Sequence, residues 1–112
     1  MRDLDKSNGS ILPGHAQVNL EAARARIDEY DEGLLMFLVG RVRVVRDEVA
    51  PAKKELGLDA YQHDRYTEKM GQLAARAAEL GLDPGMVLNI WGAIHEDSLA
   101  QQDQQLRPNP EV

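Results

Sequence analysis

Cysteine is absent from the 112 residues, which excludes disulfides, thiolate nucleophiles and cysteine-held metals. A surplus of positive charge is also missing: 13 Lys and Arg face 19 Asp and Glu, for a net charge of −6. Neutralising a phosphate backbone takes excess cations, so nucleic acid is not an expected partner. No apolar run approaches the roughly 20 residues of a membrane span. Residues 1–14 lack the apolar centre of a signal peptide. A cytoplasmic protein without a membrane partner is the expectation. Aromatic residues are scarce at 4 %, namely Tyr30, Phe37, Tyr61, Tyr66 and Trp91. A core of Leu, Val, Ile, Ala and Met suits helices better than sheets.

What is present is helical period. Apolar residues fall at Ala23, Ile27, Tyr30, Leu34, Leu38, Val42, Val45, Val49, Ala52 and Leu56, every step being three or four. The spacing predicts one helix from an N-cap at Asn19 to a stop at Gly57, about 55 Å long. Its stripe is too long for the short remaining chain to cover, which predicts a homodimer. A connection at Leu58–His63 leads to a second helix over Asp64–Leu80, stopped by Gly81. Asp83-Pro84 then starts a third, with Asp as cap and Pro in the first turn. The fold class is all-α, with one very long helix and two shorter ones. Residues 1–18 read as a flexible leader, 19–105 as the folded domain and 106–112 as a tail.

Pro51 conflicts locally with a long helix, because it removes a hydrogen bond and clashes with the preceding turn. It predicts a kink or an early helix end. Basic residues recur at Arg24, Arg41, Lys53 and Arg65. Each alone has an ordinary explanation, a surface charge lying beside an apolar stripe. Arg41, however, lies between Leu38 and Val45, where apolar residues belong. Ser98 and Gln102, four apart, share a face of the third helix. Inward cations with neutral polar groups suit a small dicarboxylate. His15, His63 and His95 lack metal-ligand spacing and read as surface or boundary residues, so no metal is expected. Gly40, Gly71 and Gly92 interrupt helices, permitting either close helix contact or room for a ligand.

The run Ala25-Arg26-Ile27-Asp28-Glu29-Tyr30-Asp31-Glu32-Gly33-Leu34-Leu35, the basic positions and Glu96-Asp97-Ser98-Leu99-Ala100-Gln101-Gln102 together resemble the all-helical chorismate mutases. The resemblance covers roughly residues 20 to 104. It implies an intertwined homodimer that rearranges chorismate to prephenate without a cofactor. It further implies that Arg24 reaches into the partner's site and that Arg41 clamps a carboxylate. Lys53 and Gln102 would donate to the breaking ether oxygen, while Arg65 and Ser98 orient the ring-side carboxylate. Some members of the family depend on a partner enzyme of the shikimate pathway, for which the tail is one place of contact; a disordered tail is the alternative.

Two departures stand out. Gln62 and Tyr66 occupy positions where the family usually has acidic residues, the second of which contacts the ring hydroxyl of chorismate. Either the substrate is unchanged and Tyr66 substitutes through its phenol, or the ring substituent differs. The specialised alternatives are an isochorismate–pyruvate lyase and a mutase of 4-amino-4-deoxychorismate; a catalytically weak helical binding module is a third. The interval from Arg41 to Lys53 is also one residue longer than usual. Twelve residues of regular helix set two side chains about 120° apart, whereas eleven set them about 20° apart. A one-residue π-type bulge or kink between Val45 and Pro51 is therefore predicted, returning Lys53 to the pocket. Lys54 is the fallback if the register differs.

Overall fold

The structure, a computed structural model, describes residues 13–108. Most of the expected leader (residues 1–12) and the end of the tail (residues 109–112) lie outside the described residues. Four α-helices, α1 (Pro13–Val44), α2 (Ala50–Leu56), α3 (His63–Glu79) and α4 (Pro84–Leu106), are present with a π-helical turn, Val45–Val49, between α1 and α2. There is no strand among the described residues. No helix of the described residues is long and apolar enough to cross a membrane. Because α1, the π turn and α2 follow without a loop, the all-α reading of one long and two shorter helical segments is what the chain forms.

The helix begins six residues before the expected cap at Asn19. Pro13 is compatible with the first turn of a helix, since its fixed φ is helical and the N–H it lacks would have no partner there. The π turn falls inside the interval where a bulge is expected. Ala50 N–H bonds to Val45 O, five residues back, so one extra residue is wound into the turn. Pro51, immediately beyond, would clash with a carbonyl four residues back in a tight α-helix, and the wider turn relieves that conflict. The apolar stripe changes register as a result. Val45 and Ala50 are buried, whereas Ala52 and Leu56, which a straight helix would place on the stripe, are exposed.

The remaining ends follow local chemistry. Gly57 (φ 70°) and Gly81 (φ 78°) take the left-handed conformation that favours glycine. At the first, Leu58 N–H reaches Lys53 O at 2.9 Å and Gly57 N–H reaches Lys54 O at 3.3 Å. At the second, Leu82 N–H reaches Ala77 O at 2.8 Å and Gly81 N–H reaches Ala78 O at 3.1 Å. Both pairs are the double bond that closes a Schellman helix end. The Asp83 carboxylate accepts from Gly85 N–H at 3.2 Å and caps α4 as expected, with Pro84 behind it.

The chain divides into two compact units, Met1–Val39 and Gly40–Val112. In the first, the described residues are all helical and present Ile27, Tyr30, Leu34, Leu35, Met36 and Phe37 exposed, Phe37 at 82 %. In the second, α4 packs against α3, α2 and the π turn. The core there is small: Val45, Ala50, Ala60, Ala77 and Val87. A Cβ added at Gly40, Gly71 or Gly92 would meet nothing within 4 Å, so among the described residues none of them serves a close helix contact.

Candidate active site

Trp91, His95, Ser98 and Gln102 follow one another along α4 at steps of four, three and four, which places them on one face. Ser98 and Gln102 are buried, each 6 % exposed, and both have charged partners. Arg41 Nη1 donates to Ser98 Oγ at 2.7 Å, and that hydroxyl donates in turn to Ile94 O at 3.0 Å. Lys53 Nζ donates to Gln102 Oε1 at 2.7 Å and to Ala60 O at 2.6 Å. An ammonium can only donate, so the amide oxygen of Gln102 faces Lys53 and its NH2 group is left to donate elsewhere. The lysine itself keeps a third proton for a ligand.

Trp91, His95, Gln102, Arg41, Lys53 and Ala60 line a cavity of about 120 Å³. Arg41, Lys53, Arg65, Gln62, Tyr66 and Gln102 all contribute to its wall. Arg41 and Lys53 therefore face one space although twelve residues separate them, the outcome that the π turn was expected to produce. Lys54 lines a different and wider hollow of about 770 Å³ with Asp59, Asp103 and Arg107, so the fallback register is not adopted. Ser98 acts on the cavity through Arg41, whose guanidinium it holds. Gln62 donates from its amide to Asp59 O at 2.9 Å, pinning the turn that carries it. Arg24 belongs to the first unit, where its side chain is exposed.

The cavity also has contributors that the sequence pattern did not single out. Lys69 lies one helical turn after Arg65 and faces the same space, a relation that the spacing of four could have revealed. Met70 and Trp91 supply apolar wall. His95, read from sequence as a surface or boundary residue, is half-buried and lines the cavity. Its distance of seven residues from Gln102, two helical turns, was the available signal for the shared face. The His95 ring packs on Tyr66 with centroids 4.3 Å apart and meets Tyr61 edge-on at 6.2 Å.

Burial and charge tune the two titratable groups nearest the polar centre. Loss of solvation pushes the Lys53 ammonium below its ordinary value of 10.5. His95 is held below 6.5, first by burial and then by the positive charges of Arg41 and Lys53. The imidazole is therefore neutral at neutral pH while the cavity around it is cationic. Such a wall offers planar bidentate grips for carboxylates and a desolvated ammonium paired with an amide for a developing oxyanion.

No solved structure matches the chain. A family model described as chorismate mutase type II matches residues 23–103, most of the chain and all of the described part of the cavity wall, and the chain belongs to that family.

Proposed function

We propose that the protein is a chorismate mutase that converts chorismate to prephenate as a homodimer. The observation that carries this reading is the meeting of Lys53 with Gln102, and of both with Arg41, around one cavity. Chorismate is a dianion, and its rearrangement breaks an ether bond as a carbon–carbon bond forms. No nucleophile or redox step is required. The protein has to hold the diaxial-like reactive conformer and stabilise charge accumulating on the ether oxygen.

Arg41, fixed by Ser98, grips one carboxylate, and Arg65 attracts the other. The free proton of Lys53 and the NH2 group of Gln102 converge on the ether oxygen. The Lys53–Gln102 bond prepares this pair before substrate arrives, so little reorganisation is needed at the transition state. Removing one such donor lowers kcat by roughly 10²–10³.

A second copy of the chain completes the site in this proposal. Two observations support it: the cavity of about 120 Å³ is well below the roughly 300–1,000 Å³ of a typical ligand pocket, and α1 carries a long row of exposed apolar side chains. Arg24 of the second copy would supply a further carboxylate contact. The test is a product assay on the purified protein with chorismate and isochorismate in parallel. Prephenate formation is expected; pyruvate release from isochorismate with no prephenate from chorismate would replace the mutase with a lyase.

A further inference from the structure

The imidazole of His95 presents a buried nitrogen that nothing among the described residues satisfies. Among the described residues Nε2 has no hydrogen-bond partner, and the ring lines the cavity beside Tyr66. A buried polar atom without a partner is costly, and at the wall of a ligand cavity the ordinary remedy is a polar group of the ligand. Four cationic side chains, Arg41, Lys53, Arg65 and Lys69, share that wall, and no carboxylate lines it among the described residues.

We propose that His95 binds the ring substituent of the substrate through Nε2, and that the site accepts an uncharged hydroxyl there and rejects an ammonium. This rests on the mutase reading above and deepens it. A hydroxyl can donate to a bare imidazole nitrogen or accept from a protonated one, so either tautomer of a neutral His95 is served. An ammonium in the same place brings a fifth positive charge to a wall without an anion to pair with it. The two carboxylates of the substrate are already matched by the guanidinium groups of Arg41 and Arg65, and they sit elsewhere on the molecule. Repulsion from even one of those cations at about 6–8 Å, with an effective dielectric of about 20, corresponds to a discrimination of roughly 30- to 100-fold. The packing of Tyr66 against the imidazole holds the ring in place, which gives the tyrosine a positioning role at the cavity wall.

The experiment compares kcat/KM for chorismate and for 4-amino-4-deoxychorismate on the full chain and on three variants. The unaltered protein should prefer chorismate by roughly 30- to 100-fold. His95→Leu should lower kcat/KM for chorismate about tenfold, the value of one hydrogen bond, and His95→Gln, which restores an amide donor and acceptor, should recover most of that loss. His95→Glu places a carboxylate where the ammonium would sit and should narrow the preference at least about tenfold. A role confined to packing leaves the preference between the two substrates unmoved in all three variants. Equal turnover of both substrates by the unaltered protein overturns the substituent selection and leaves the mutase reading intact. A His95→Leu protein that folds and keeps full activity on chorismate overturns the assignment of His95. Absence of turnover with both substrates overturns the mutase reading, and this inference with it.

Discussion

Lys53 and Gln102 lie 49 residues apart in sequence and are joined by a 2.7 Å hydrogen bond from the ammonium to the amide oxygen. The bond fixes which end of the amide faces the cavity. Gln102→Leu should therefore remove two things at once, a donor to the ether oxygen and an acceptor that steadies Lys53. The expected result is a fall in kcat of roughly 10²–10³ with far-ultraviolet circular dichroism retained. An unchanged kcat would show that the amide is only structural.

In the proposed reaction Lys53 acts in its protonated form, and its burial lowers the pH at which the proton is lost. The alkaline limb of kcat/KM, which reports the free enzyme, should fall below 10.5, the ordinary value for lysine. The corresponding limb of kcat should lie higher, because a bound dianion favours the charged lysine. Coincident limbs would separate Lys53 from the titration.

The π turn makes a sharp prediction about chain length. Deleting Glu48 together with Pro51→Ala should allow a regular α-helix that still sets Arg41 and Lys53 about 20° apart. Activity should stay within about tenfold of the unaltered protein. Inserting one alanine after Glu48 instead rotates Lys53 by about 100° and should abolish turnover. Steady-state rates on the two proteins provide the check.

Arg24 can be tested by mixing. If it acts across a dimer, Arg24→Ala and Lys53→Ala are each inactive, yet mixed dimers contain one intact site. Co-refolding equal amounts should restore about a quarter of the normal activity by random pairing. No recovery would place Arg24 in its own chain's site or outside the chemistry. Leu34→Glu, which puts a charge on the exposed apolar face of α1, should shift the sedimentation coefficient to that of a single chain.

His95 gives a stability signature. Its folded pKa lies below 6.5, with Arg41 and Lys53 as the charges around it and Tyr61 and Tyr66 as its packing neighbours. Between the folded value and about 6.5 the unfolded chain binds a proton that the folded chain refuses. This contribution to stability is complete above about 6.5 and is lost as the pH falls through the folded value. Urea midpoints at pH 7.5 and 5 should differ by more for the unaltered protein than for His95→Gln.

Much of this arrangement was legible in the sequence because it rests on local rules. Gly57, Gly81 and the Asp83-Pro84 start each act within a few residues, and the structure has all three where the spacing predicts them. The π turn was legible for a different reason: Arg41 and Lys53 could share a space only if the excess residue was absorbed, and Pro51 marked the place. The start of α1 was missed because Asn19 is a good cap by type, while Pro13 competes from an earlier position. His95 was missed because its role depends on long-range contact. Its neighbour Tyr66 is 29 residues away, and nothing in a run of residues announces that α3 and α4 will bring two rings to 4.3 Å.

The π turn carries a lesson for reading other chains of this kind. It confines the extra residue to five positions and leaves ordinary helix on both sides. An alignment that forbids gaps inside helices will therefore set Ala52, and not Lys53, in the column eleven residues after Arg41. Allowing a single-residue gap at Val45–Val49 sets Lys53 in that column instead.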